Sequence, residues 1–289
     1  MAMITITSAI PDIHEKRGRY YTAETYLLPS DDAEKARLNG QHEAVKPFSD
    51  GLIPAGLVLK AGDAVLDAGT GSGIWLLDIA NRVAEGVSFT GMDIEGRLFP
   101  KPLPNMKFLV GSTFDLPHDL DSTFTLVHQR LMVAAFSVDG WRKAISGFYR
   151  VLKPGGYIKL EEIDFLCILP GPVAVPPLTS KFCEGSKVLC AKRDVGADTL
   201  LNITALLEEA GFEMVDETRR AIHLGGQVNH ARDAFIGAWR SMKGPFVQSR
   251  VIDGAHTDME YDDFLDQIEQ EWRTTDFART WCNWTARKP

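Results

Sequence analysis

A chain of 289 residues that is 45% hydrophobic and 24% charged is neither disordered nor fibrous, and it is long enough for one large domain with a substantial core. Its 31 basic residues are outnumbered by 39 acidic ones and scattered along the chain, and the net charge of -8 argues against DNA or RNA as a partner. The four cysteines, Cys167, Cys183, Cys190 and Cys282, form no CxxC pair and share no metal-ligand spacing with histidine, so reduced thiols and no metal centre are expected.

Residues 1–10 are mildly apolar but lack a basic flank and run into Pro11 and Asp12, unlike a secretory leader. No window reaches membrane-spanning length, so a soluble, cytoplasmic protein is expected. Residues 13–26 are polar and carry the tyrosine pair Tyr20 and Tyr21. Ser30 or Asp31 is placed to cap a helix over about 32–48 that starts among acids, where the helix dipole favours negative charge. Preceding the first core strand, this segment is free to cover a ligand site or simply to pack on the sheet.

The Gly- and Pro-rich residues 51–62 deliver the chain into a strand at 64–67, and Ile74, Leu77, Ile79, Ala80 and Val83 mark the buried side of the helix that follows. Strands are expected at 87–93, 106–110 and 124–128, a helix at 139–152 and a strand at 157–161. An apolar, proline-rich loop spans 165–177; a helix at 198–210 and a strand at 212–222 come next. Residues 227–276 read as a mostly helical insertion containing Phe235, Trp239 and Trp272, and 280–286 as a closing strand.

Alternating strands and helices predict an α/β fold: a Rossmann-like, seven-stranded, mostly parallel sheet with helices on both faces. An N-terminal helical cover and a helical insertion before the last strand complete it. The expected organisation is a single domain over 1–289, with the cover at 1–50, a cofactor-binding core at 51–165, and a C-terminal half at 166–289 whose insertion at about 227–276 caps the substrate.

Between the first strand and helix stand Gly69, Gly71 and Gly73. Three glycines in five residues at a strand end describe a loop shaped around a ligand, because glycine accepts positive φ and lets another molecule approach the backbone. Open α/β sheets bind ligands beyond the carboxyl ends of their strands, which selects Asp67, Gly69, Asp93, Ser112, His128 and Glu161. A dinucleotide site needs G-x-G-x-x-G, and its third glycine would fall on Ile74.

The pattern Asp67-x-Gly69-x-Gly71-x-Gly73 instead resembles motif I of the class I S-adenosylmethionine-dependent methyltransferases. The segments 26–32, 73–80, 104–108, 127–130 and 152–161 are similar to those of the fungal LaeA-like, secondary-metabolite branch. The resemblance implies S-adenosylmethionine as cofactor, with Asp93 as the acid that takes both ribose hydroxyls and the glycine loop passing the methionine part. It puts Asp67, Gly69, Thr70, Gly71, Gly73, Trp75, Asp93, Ile94, Ser112, Thr113, Phe114 and His128 around the cofactor. Where the family usually has an acid for the adenine amino group, this chain has Ser112, with Phe114 expected to stack on the ring.

Methyl transfer from a sulfonium is an in-line displacement in which positioning supplies much of the acceleration. A base is needed for a phenol or enol and not for a carboxylate; His128 is the candidate catalytic base, and a cofactor contact or structural role is its alternative. Tyr20, Tyr21, Glu161, Phe235 and Trp239 are the candidate substrate contacts. The expected reaction is methylation of a small-molecule acceptor, most readily at oxygen, in secondary metabolism. The LaeA-like resemblance also admits a regulatory protein that works through protein partners.

Overall fold

The computed structural model describes residues 31–196 and 198–289, and the backbone of 14–16 and 19–21. The short strands β1 (His14–Lys16) and β2 (Arg19–Tyr21) pair antiparallel, where the sequence pattern suggests only a helical cover. Three-residue strands are too short to print an alternating pattern. Residues 22–30, including most of the 26–32 motif, lie outside the described residues, as do the side chains of Tyr20 and Tyr21.

Helix α1 (Asp32–Val45) starts at Asp31, whose carboxylate accepts the Glu34 amide at 3.0 Å. Beyond it come β3 (Ala64–Ala68), α2 (Ile74–Ala80), β4 (Ser88–Asp93), β5 (Met106–Val110), β6 (Phe124–Arg130), α3 (Val138–Val151) and β7 (Leu152–Ile163). The C-terminal half contributes α4 (Pro177–Lys192), α5 (Ile203–Glu209), β8 (Glu213–His223), α6 (His230–Ser241), α7 (Lys243–Ser249), α8 (Asp258–Thr274) and β9 (Ala278–Arg287). Helix α4 follows the proline-rich loop directly. Its prolines sit at the helix entrance, where a missing N–H costs nothing. The expected helix at 198–210 is divided into a 3-10 turn at Thr199–Asn202 and α5.

Strands β3 to β9 form one sheet in the order β5-β4-β3-β6-β7-β9-β8. All pairings are parallel except those of β9, which runs antiparallel between β7 and β8. The chain winds outward from β3 to β5 and then returns to β6 on the other side of β3, so the strand order reverses beside β3. That reversal opens the crevice in which such sheets take ligands.

Every residue of β3 is buried, because alternate side chains feed opposite layers. Leu66 and Ala68 join the large core with Val127, Leu160 and Phe148, whereas Val65 joins Trp75, Ile79, Phe89 and Leu126 beneath α2. No helix among the described residues is long and apolar enough to cross a membrane.

Candidate active site

The turn from β3 to α2 is built by its glycines. Gly69, Gly71 and Gly73 have φ of 72°, 53° and 71°, and a Cβ would lie 2.9 Å from Met132 Sδ at Gly69 or from the Pro100 ring at Gly73. The loop is pinned from below: the Gly69 and Thr70 amides donate to Met92 O at 2.8 and 2.9 Å, and Thr70 Oγ1 donates to Asp67 Oδ2 at 2.6 Å. Asp93, the last residue of β4, accepts the Gly71 amide at 2.8 Å and the Glu95 amide at 3.1 Å, one on each carboxylate oxygen. Burial pushes its carboxyl up to about 6 despite those bonds. Each oxygen keeps a lone pair for another donor.

A cavity of about 250 Å³ opens over these strand ends. Gly69, Thr70, Gly71, Asp93 and Ile94 line one end, joined there by Ser112, Thr113 and Phe114 after β5. Phe114 is half exposed and packs against Phe136 at 4.6 Å between ring centroids. Phe235 and Trp239 of α6 line the same cavity, in an apolar part with Phe165, Ile163 and Met242. Trp239 is held there by Phe182 of α4, stacked at 3.6 Å.

Among the described residues, five of the expected site residues are absent from the cavity wall. Gly73 caps α2 and serves packing, and Asp67 lies beneath the loop, 2% exposed. Trp75 turns down and stacks on His128 at 3.8 Å with the rings 3° from parallel. His128 is wholly buried, its Nδ1 2.7 Å from Asp67 Oδ1 and its Nε2 3.2 Å from Glu161 Oε2. Glu161 is equally buried and lies 3.1 Å from Lys159 Nζ. Burial works to raise the Glu161 carboxyl, but Lys159, the His128 bond and Arg130 outweigh it and hold it well below the usual carboxylate range.

The structure thus places His128 and Glu161 in a brace under the site rather than on the cavity wall, the structural role that stood as the alternative for His128. With a carboxylate oxygen on each ring nitrogen and Trp75 on its face, His128 has no nitrogen open to an acceptor. The reason lies in strand length. β6 runs on to Arg130 and β7 to Ile163, so both residues sit inside strands, and His128 is in register between Asp67 and Lys159.

Several lining residues escaped the sequence reading. Helix α1 presents Glu34, Arg37, Leu38 and Gln41 to the cavity, and Glu34 forks the Arg37 guanidinium at 2.9 and 2.6 Å. Arg130 reaches the wall from the end of β6; its NH2 nitrogen donates to Nδ1 of the buried His42, whose Nε2 meets Asp78 of α2 at 3.0 Å. Burial and then Arg130 lower the His42 pKa. The 132–136 segment is hung from Glu162, which accepts the Met132 and Val133 amides at 2.8 and 3.1 Å. Arg279 of β9 is the last; an arginine in an otherwise buried strand was the available signal.

One cluster of metal-ligand type occurs among the described residues, at His42, Glu43 and Asp78. Lys46 Nζ occupies its charge balance at 2.8 Å from Glu43 and 3.3 Å from Asp78.

The sheet order, the glycine turn beside the reversal and an acid at the end of β4 together define a class I S-adenosylmethionine-dependent methyltransferase. Comparison with known proteins agrees: the family model described as a methyltransferase domain matches residues 65–156. The N-methyltransferase sirN of Leptosphaeria maculans is 40% identical over 140 residues, 47% of this chain and 49% of its own length. The N-methyltransferase tcpN of Claviceps purpurea is 30% identical over 219 residues, 70% of this chain and 74% of its own. The match thus spans about half the length of the first relative and about three quarters of the other. Haemonchus contortus phosphoethanolamine N-methyltransferase 2, solved with S-adenosyl-L-methionine, superposes with a TM-score of 0.50 at 16% identity, covering 92% of this chain and 55% of that one, a likeness of fold. The chain belongs to the fungal secondary-metabolite branch of the class I S-adenosylmethionine-dependent methyltransferases.

Proposed function

We propose that the chain methylates a nitrogen of a small, largely apolar metabolite. The observation that carries this is a single cavity joining the glycine loop to a pocket walled by Phe165, Phe235, Trp239 and Met242. S-adenosylmethionine, when bound, supplies an activated sulfonium methyl. Asp93 would hold the ribose diol with its two remaining lone pairs, the open backbone at 69–72 would pass the methionine part, and Ser112, Thr113 and Phe114 would flank the adenine. Helix α1 and helix α6 would then close over cofactor and acceptor as covers, within a single domain.

The choice of nitrogen rests on two supports. Both relatives named above carry the name N-methyltransferase. In addition, the described residues at the apolar end offer no imidazole and no free carboxylate, and a neutral nitrogen attacks through its own lone pair, leaving its proton to solvent afterwards. The oxygen preference drawn from the sequence covered a hydroxyl, an enol or a carboxylate, and only the first two call for a base such as His128. Incubating the protein with methyl-labelled S-adenosylmethionine and an extract of fungal metabolites tests the reading. Label in an N-methyl group is expected; label in an O-methyl group alone would overturn it.

A further inference from the structure

At the acceptor end of the cavity one cation has no counter-charge among the described residues. Arg279 lies on β9 and is 3% exposed, yet it lines the cavity. Its guanidinium carbon stands 5.1 Å from the Trp239 ring centroid, and one terminal nitrogen donates to the Asp164 carbonyl oxygen. Among the described residues its Nε has no hydrogen-bond partner and no carboxylate lies within ion-pair distance of it. The Asp164 carboxylate, the acid closest in sequence to that contact, is already spent on the Ile168 and Leu169 amides at 3.0 and 2.8 Å. Arg232, another arginine buried to 1% exposure, shows the contrast: its Nε too lacks a hydrogen bond, but three backbone carbonyls, of Leu224, Gly226 and Gln227, receive its terminal nitrogens, the Asp233 carboxylate lies 3.7 Å from the Nε, and it stays out of the cavity.

A buried guanidinium remains charged, and burying it without a partner is costly. Arg232 meets that cost with three carbonyls and a nearby carboxylate; Arg279 has the Asp164 carbonyl and, among the described residues, no carboxylate partner, and it borders a ligand-sized space. We propose that Arg279 anchors an anionic oxygen, a carboxylate in the first instance, on the methyl acceptor. This deepens the acceptor reading given above and rests on it. The guanidinium fork is matched in shape to a carboxylate, and the Trp239 ring behind it fixes the plane in which the fork can present its N–H groups. An acceptor held by its carboxylate on β9 and by its apolar body against α6 would direct a different atom, the nitrogen, across the cavity.

The test uses the full chain saturated with S-adenosylhomocysteine and two probes of one shape, indole-3-acetate and the neutral indole-3-acetamide, titrated calorimetrically. The wild type is expected to bind the carboxylate about 10-fold or more tightly than the amide, as a charge-assisted hydrogen bond provides. Arg279→Gln should erase that preference while leaving affinity for the amide and for S-adenosylhomocysteine within about twofold, and Arg279→Lys should restore part of it. A merely structural arginine would alter both probes together. Equal binding of the two probes by the wild type, failure of both to bind, or a preference that survives in Arg279→Gln would each overturn the proposal. N-methylated product from the extract assay without a carboxylate preference sinks the anchor alone. A carboxylate preference without any methylated product sinks the acceptor reading and leaves the anion site standing.

Discussion

The two ends of the cavity are built by different means. The glycine-loop end is assembled from three short runs, 69–72, 93–95 and 111–114, each leaving the end of a neighbouring parallel strand. The acceptor end gathers Met132, Ile163, Phe165, Trp239 and Arg279, drawn from four stretches of chain spread over nearly 150 residues and brought together by packing. The first end is therefore held by backbone hydrogen bonds and the second by ring contacts such as Trp239 on Phe182. Local backbone geometry suits a cofactor that stays the same across a family, while side-chain packing suits an acceptor that varies.

The brace beneath both ends offers the strongest way to break this contrast. Replacing His128 by Ala leaves Asp67 and Glu161 facing each other across a buried gap, and a stability loss of about 3–5 kcal/mol is expected, read from the urea midpoint. An unchanged midpoint with lost turnover would return His128 to catalysis. At the cofactor end, Asp93→Ala should weaken S-adenosylmethionine about 10- to 100-fold by calorimetry, since it removes an ionised acceptor of two hydroxyl donors. Under the division of labour described here, probe binding at the acceptor end should stay as it was.

A pH series sharpens the same point. The Asp93 carboxyl sits near 6, and diol donors favour its ionised form, so cofactor affinity should be flat above about pH 7. It should then fall by up to about tenfold per pH unit below 6. The fall should vanish in Asp93→Asn; an affinity independent of pH between 5 and 7 in the wild type would contradict the assignment. Smallest is the adenine side, where Ser112→Ala combined with Phe114→Ala should weaken the cofactor several-fold through the lost ring contact. No change in measured affinity would remove that pair from the site.

Legibility followed the same boundary. The strands at 64–67, 87–93 and 106–110 stand within about one residue of β3, β4 and β5, because short apolar runs that end in Gly or Asp mark both their type and their end. Asp93 therefore lies where the pattern puts it. For β6 and β7 the apolar runs stop at His128 and Glu161, but polar residues carry the ladder further, to Arg130 and Ile163. Two residues of extra strand turned both groups from the rim into the interior. Helix α4 was hidden for a related reason: its prolines read as loop until their place at the helix start is known.

What the sequence determined by itself was the alternation of elements, the glycine turn and the acid at the end of β4, all of them consequences of local conformational rules. Only the tertiary structure decided that His128 is a brace, that α1 lends Glu34 and Arg37 to the wall, and that Arg279 meets Trp239. Burial, register and the pairing of charges are properties of elements distant along the chain, and periodicity within any one element carries no record of which neighbour will cover it.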